Sequence, residues 1–235
     1  MLIYINIRYV NYMKKILLTI STIITILFSL NLRVYSFEEK NENYLIFIDV
    51  NELTLSLLKE DTKELIKKYP VAMGKISTPS PIGQWTITSK ALKDGPFGGY
   101  WLGLNAPWDT FGIHGTSNPS SIGSLASNGC IRMYNYHIKE LFNLVGYDTR
   151  VIVYGGPNWR FSPYNRKIKI NDKGTDVFYV QKALKNIGYY EQVLDGIYGY
   201  PLEQAILQYK IDANLSGDST IDEELLDSLG LFKFE

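Results

Sequence analysis

Apolar residues come in short, β-branched-rich runs from Tyr44 to Tyr154 and at helical spacing beyond Thr175. Tyr44–Val50, Leu53–Leu58 and Glu64–Met73 read as strands, because branched and aromatic side chains fit a pleated, half-buried surface. The Asn51-Glu52 pair between the first two predicts a hairpin turn. Thr78–Thr88 and Gly98–Leu104, punctuated by Gly and Pro, predict further strands, and Arg150–Tyr154 a last one. Ile138, Leu141, Phe142 and Val145 stand at i, i+3, i+4 and i+7 and mark the one clear amphipathic helix of this half. After the Gly- and Pro-containing stretch 155–165 the period turns helical. Thr175 is expected to cap a helix with Val177, Val180, Leu184 and Ile187 on one stripe, stopped by Gly188. Pro201 suits the first turn of a second helix carrying Leu202, Ala205, Ile206 and Tyr209. Thr220 opens a third, acidic in its first turn, with Leu225, Leu226 and Leu229 before Gly230.

The N-terminus is patterned differently. Lys14 and Lys15 precede Ile16–Leu32, seventeen residues without a charge, and Arg33 follows. A positive flank and an apolar run fit a secretory signal or a membrane anchor, and the run falls just short of the roughly 20 residues a span needs. Val34 and Ser36 supply the smaller side chains before a cut at Phe37, and Met13 is an alternative start. The expected division is a leader over 1–36, a mainly β domain over 43–155, a linker over 156–167 and a small all-α bundle over 168–235. The protein is expected outside the cytoplasm, at the cell wall or the outer face of the membrane, released or N-terminally tethered.

Charge and composition narrow the chemistry. Lys plus Arg and Asp plus Glu both number 24, so no net field draws the chain to nucleic acid. Eighteen Tyr, ten Phe and four Trp argue for a folded, β-rich protein. One Cys forbids an internal disulfide, and one Cys with two His, lacking any metal-ligand spacing, makes a zinc site a poor reading. No metal or cofactor is expected.

That one thiol, Cys130, follows Ser127-Asn128-Gly129, and His114 lies sixteen residues earlier in Ile-His-Gly-Thr. A thiol becomes a nucleophile near neutral pH when a base takes its proton, and an imidazole is suited to that exchange. Gly129 permits the tight turn on which a nucleophile is presented, and its N–H is a candidate oxyanion donor. Ser127 is the nearest polar group to orient the imidazole. The plain alternative is an inert buried thiol and a core or surface histidine; the glycines flanking both residues favour chemistry.

Ile113–Thr116, Ser127–Met133 (S-N-G-C-I-R-M) and Thr78–Gly83 (T-P-S-P-I-G) with the following W-T-I strand resemble the L,D-transpeptidases of the YkuD family, over roughly residues 43–155. The resemblance implies a YkuD-like β-sandwich with one helix, Cys130 as nucleophile, His114 as general base, Ser127 as the residue orienting that histidine and Gly129 as the backbone oxyanion donor. It places Arg132 on a substrate carboxylate, with Gly115, Asn128 and Trp108 on the substrate side. Asn128 stands where many members carry a histidine. Trp108 and Tyr100 are open between groove and core, Trp101 is expected in the core, and His137 at the surface or capping its helix.

Val180–Tyr190 (V-Q-K-A-L-K-N-I-G-Y-Y) and Asp195–Gly199 (D-G-I-Y-G) resemble the peptidoglycan-binding domain 1 family, a three-helix bundle, through Gln181, Leu184, Gly188, Tyr189, Tyr190, Asp195, Gly196 and Gly199. Tyr200-Pro201-Leu202 and Gln208-Tyr209 depart from its pattern. Tyr189, Tyr190 and Tyr198 either stack on a wall ligand or fill the bundle. Together the resemblances imply an acyltransferase of peptidoglycan peptide stems. Cys130 would attack the third residue of a tetrapeptide stem, release D-Ala and pass the acyl group to a second stem as a 3→3 cross-link. Water as acceptor would make it a carboxypeptidase, and a non-catalytic wall-binding protein is the third reading. The implied partners are donor and acceptor stems, the wall through the C-terminal module and a membrane through the N-terminus, with no nucleic acid.

Overall fold

A computed structural model describes residues 12–25, 43–156 and 168–231. The chain divides into two compact units, Met1–Asn41 and Glu42–Glu235. In the first, residues 12–25 form helix α1. The remainder of the leader, the cut expected before Phe37 and most of the linker lie outside the described residues, among which no helix is long and apolar enough to cross a membrane.

The second unit begins with β1 (Tyr44–Asp49) and β2 (Thr54–Lys59), paired antiparallel around a turn at 50–53. Asp49 builds that turn: its Oδ1 accepts the N–H groups of Asn51 and Glu52 at 2.9 and 3.2 Å. Ile46 and Ile48 alternate inward along β1, each gaining on the order of 1.5–3 kcal/mol by burial. β3 (Leu65–Pro70) ends sooner than the run 64–73 suggested. Pro70 pairs with Thr54, the first residue of β2, so no ladder partner remains. The chain then crosses to β4 (Met73–Gly74), and Ala72 exchanges two backbone hydrogen bonds of 2.9 Å with Arg132.

β5 (Gly83–Lys93) starts five residues later than Thr78, because Pro79 and Pro81 have no N–H to give a ladder, and it runs on past Thr88. Its first half pairs with β10 (Arg150–Tyr154), its second with β6 (Gly99–Leu104), and the register shifts between Ile87 and Ser89. β7 (Phe111–His114), the short β8 (Leu125–Ser127) and β9 (Ile131–Arg132) complete the strands. The larger sheet runs β3-β2-β1-β10-β5-β6-β7-β9, and β4 pairs with β8. Both arms of the sheet contribute to one buried core, Ile48 and Leu55 from one and Leu102 and Ile113 from the other. α2 (Asn135–Leu144) covers that core with Ile138 and Leu141, and Lys90 Nζ donates to the carbonyls of Phe142 and Val145 at its C-terminal end.

The C-terminal module, α3 (Thr175–Asn186), α4 (Tyr200–Asp212) and α5 (Glu223–Ser228), has its own core of Val177, Val180, Leu184, Leu202 and Leu225. Three details differ from the sequence reading. Gly174, not Thr175, precedes α3, and the Thr175 hydroxyl instead accepts the Ile82 N–H at 3.1 Å. Ile187 falls past the last helical residue and is 50% exposed. α5 begins after Asp222, whose side chain accepts the Leu225 N–H, because Ile221 is still extended against Ile168. Tyr190 and Tyr198 are buried in the bundle, which settles both as core, and Tyr189 lies edge-on to Tyr209.

Gln181 holds this module together. Fully buried, it gives Nε2 to the Tyr190 hydroxyl, Asp195 Oδ1 and the Ile197 carbonyl, and takes the Gly196 N–H at 2.8 Å. Gln181→Ala strands that buried donor and should destabilise the module by roughly 1–3 kcal/mol. Ile187→Ala should change it by less than about 0.5 kcal/mol. Hydrogen exchange of α3 and α4 amides reads both.

Candidate active site

β7 and β9 run parallel, with Ile113 opposite Ile131 and His114 opposite Arg132. Continued back one pleat, that register sets Cys130 level with Gly112. Residues two apart share a strand face, so Cys130, His114 and Arg132 lie along one side of the sheet. The Gly112 N–H faces the Cys130 sulfur, which stands 3.8 Å from the Thr110 carbonyl oxygen.

The turn that delivers Cys130 is built by Ser127. Its hydroxyl donates to the Cys130 carbonyl at 2.5 Å and accepts the Gly129 N–H at 3.1 Å. Two expectations are corrected here. Ser127 orients the cysteine turn, not the imidazole, because its one proton goes to Cys130 O. Gly129 is no free oxyanion donor, because its N–H is spent on Ser127. Gly129 is required for a different reason: its φ is 112°, and a Cβ would stand 2.7 Å from Phe111 Cε1. Gly129→Ala should therefore destabilise the fold by roughly 1–3 kcal/mol, read by thermal melting.

The imidazole is held by other groups. His114 is 5% exposed, and its ring lies on that of Trp101, its cross-strand partner, at 5.6 Å and 21°. Phe97 meets it edge-on at 5.1 Å. His114 Nδ1 is 2.5 Å from the Gly115 carbonyl oxygen. A carbonyl only accepts, so Nδ1 carries the proton and Nε2 keeps its lone pair for a reacting group. Gly115, expected on the substrate side, works through that carbonyl. It is buried, and a Cβ there would meet Asn135 Oδ1 at 2.5 Å and Gly98 O at 2.8 Å. Asn135 Oδ1 also accepts the Thr116 N–H, fixing the chain just beyond the imidazole.

Electrostatics favour the uncharged form of both groups. Burial is the main cause that pushes His114 down to about 4, with Arg132 and Lys93 adding to it against the Gly115 hydrogen bond. Burial also pushes the Cys130 thiol up, opposed by the Gly112 N–H, Arg132 and Lys93 and reinforced by Asp109. Near neutral pH the two groups are thus a thiol and a neutral imidazole. Lys93 reaches this centre by resting its ammonium 4.2 Å from the Trp101 ring centroid.

Arg132 is half-buried, and among the described residues no carboxylate pairs with it, which leaves its guanidinium for a ligand. Asn128 is exposed beside the turn. Trp108, open between groove and core in the sequence, is 8% exposed and packs among Trp85, Phe111 and Phe178, so it fills a seam of the core. His137 does not cap α2; its ring lies among Tyr69, Tyr134 and Tyr136, away from the thiol's contacts. Among the described residues no group of three or more His, Cys, Asp or Glu is placed to hold a metal ion. Trp101, Phe97, Lys93 and Asn135 also support this arrangement, though nothing in the sequence marks them. Their roles depend on the β6–β7 register and on the fold of residues 97–99 against 115–116, which no local motif reveals.

The model of the L,D-transpeptidase catalytic domain, YkuD, matches residues 43–153, and that of the "Putative peptidoglycan binding domain" matches residues 173–229. A Bacillus licheniformis protein named "Putative L,D-transpeptidase YkuD" is 46% identical over 111 residues, covering 47% of this chain and 65% of the relative. The chain thus spans less than two thirds of that relative's length. A Bacillus subtilis protein named "Putative L,D-transpeptidase YqjB" is 32% identical over 123 residues, covering 46% of this chain and 70% of the relative. The NMR structure of the catalytic domain from the E. faecium L,D-transpeptidase aligns at 25% identity and a TM-score of 0.42, over 48% of this chain and 98% of that one. With the family model over residues 43–153 and most of the B. subtilis relative covered, this chain belongs to the YkuD family of L,D-transpeptidases.

Proposed function

We propose that the protein transfers the acyl group of one peptidoglycan peptide stem to another through a thioester on Cys130. The observation that carries this reading is the parallel β7–β9 pairing, which sets a thiol, a neutral imidazole and an unpaired guanidinium along one sheet face. In the first step Sγ attacks the carbonyl carbon of the third residue of a tetrapeptide stem while His114 Nε2 takes the thiol proton. The tetrahedral intermediate collapses, the C–N bond breaks, and His114 returns the proton to the amine of the departing D-Ala. In the second step the amine on the third residue of a neighbouring stem attacks the thioester. His114 takes its proton and gives it to the leaving thiolate, leaving a 3→3 cross-link and the free thiol. The energy of the cleaved peptide bond is kept in the thioester, so the exchange needs no nucleotide. Arg132 holds a stem carboxylate, and the C-terminal module keeps the enzyme on the wall, to which the N-terminal leader delivers it.

The test is mass spectrometry of the products formed from a disaccharide-tetrapeptide. A cross-linked dimer lacking one D-Ala is the expected result. Tripeptide alone would make water the acceptor and the enzyme a carboxypeptidase. No product with a stem shown to bind would leave a wall-binding protein. Arg132→Met is expected to raise KM for the stem at least tenfold with a smaller change in kcat, because a charge-assisted contact to a carboxylate is worth about 1.5–3 kcal/mol. Steady-state kinetics on the same stem would show it.

A further inference from the structure

Helix α3 serves the sheet domain as well as its own bundle. Phe178 packs against the core of the sheet domain, edge-on to Trp85 at 5.5 Å and tilted against Trp108 at 5.8 Å. One turn earlier the Thr175 hydroxyl accepts the Ile82 N–H at 3.1 Å. Just before α3, Lys173 Nζ meets Asp109 Oδ2 at 2.7 Å. Gly196 approaches Trp108 so closely that a Cβ there would stand 2.5 Å from the indole Cε3. This glycine lies in the D-G-I-Y-G turn that Gln181 ties to α3.

These contacts grip two segments of the sheet domain, and each leads within a few residues to the thiol. Beyond Trp108 and Asp109, the Thr110 carbonyl stands 3.8 Å from Cys130 Sγ, and the Phe111 ring fills the space beside Gly129. Trp108 and Phe111 touch edge-on at 5.6 Å. Before Ile82, the Thr78 hydroxyl donates to the Ser127 carbonyl at 3.2 Å, and the Pro79 carbonyl lies 3.3 Å from where a Gly129 Cβ would stand. The cysteine turn is therefore enclosed by two chain segments whose far ends are both fastened to α3. The ion pair is half exposed and contributes little in water. The apolar insertion of Phe178 and the Thr175 hydrogen bond carry most of the fastening.

We propose that the C-terminal module is a positioning element of the thiol site, with Phe178 and Thr175 of α3 holding Trp108 and Ile82 so that residues 108–112 enclose Cys130. The enclosure concerns the thiol itself; only its bearing on acyl transfer rests on the function proposed above. A wall-binding domain in this role is more than a tether, because the sheet domain keeps its thiol geometry through it. The effect passes through packing over a short, contiguous path.

The test uses the full chain and follows alkylation of Cys130 by iodoacetamide from pH 5 to 10, with intact mass as readout. In Phe178→Ala the 108–112 segment relaxes and the half-buried sulfur becomes more open to water. Because burial is what holds the thiol up, the alkylation midpoint should fall by about one pH unit and the rate at pH 7 should rise roughly tenfold. Phe178→Leu refills much of the space and should recover most of the wild-type profile. Ile187→Ala, at the exposed end of α3, should match wild type. Should Phe178→Ala fail to fold, Thr175→Val removes only the acceptor for Ile82 and is expected to shift the midpoint in the same direction. A profile within twofold of wild type in the folded variant overturns the proposal. A shifted profile in a protein that never acylates with a stem would instead sink the transpeptidase reading and leave the positioning role standing.

Discussion

Cys130→Ala is expected to form neither cross-linked dimer nor tripeptide, a loss on the order of 10⁶-fold, as when an acyl-transfer enzyme loses its nucleophile. The chain holds no second thiol to substitute for it. The fold should survive, since the turn at 127–130 is built by the Ser127 hydroxyl and the backbone of Gly129 and Cys130 and not by the sulfur. Loss of product with unchanged thermal melting separates a chemical role from a structural one. Cross-linking retained by the alanine variant would remove the cysteine from the mechanism altogether.

His114→Gln should lower the rate of acylation by about 10²–10⁴-fold, the usual contribution of a positioned general base. The pH dependence is the more discriminating readout. With the imidazole pushed down to about 4 and the thiol pushed up, the reactive form is thiol plus neutral imidazole. The rate of acylation should then be nearly flat from about pH 5 to pH 8 and fall on the acid side as His114 protonates. A preformed thiolate–imidazolium pair would give a narrow bell and a thiol that alkylates readily in mild acid.

The same imidazole links stability to pH. Above its ordinary value of 6.5 the group is neutral in both the folded and the unfolded chain, and its contribution to stability is fully present. Between 6.5 and about 4 the unfolded chain binds a proton that the folded chain refuses, so stability falls as pH falls. At 1.36 kcal/mol per pH unit the loss levels off at roughly 3 kcal/mol below pH 4. His114→Gln should abolish this part of the acid sensitivity, which melting curves between pH 4 and 7 would reveal.

Most strands and all three C-terminal helices were legible in the sequence, because their patterns report burial on one face. Ile46 and Ile48 alternate inward as strand residues do, and Val177, Val180 and Leu184 form the buried stripe of α3. What was not legible depended on contacts between distant segments. Ile187 continues that stripe in sequence, yet it lies past the end of α3 and faces water. Thr175 has the right chemistry for a cap, but the Ile82 N–H claims its hydroxyl.

The site divides in the same way. Cys130 and His114 stood out by residue type and by the glycines near them, whereas Arg132, with no glycine beside it, was marked only by the resemblance to the family. The supporting groups were misassigned where two local partners competed. Ser127 is near the cysteine in sequence and serves its turn, and the imidazole is fixed by the carbonyl of its own neighbour, Gly115. Trp101 reads as a core residue and is one, yet the face it turns to His114 sets the plane of the imidazole. Trp108 reads equally as groove or core until the C-terminal module, packed on it through Phe178, decides the matter.

The central claim is that the Cys130 sulfur carries the acyl group during transfer. The most direct measurement is mass spectrometry of the full chain quenched in acid within the first turnover of a disaccharide-tetrapeptide, followed by peptide mapping. The account predicts an adduct with the mass of the stem less D-Ala, on the peptide containing Cys130, chased away by an acceptor amine. Turnover with no adduct, or with the adduct on another residue, would contradict it.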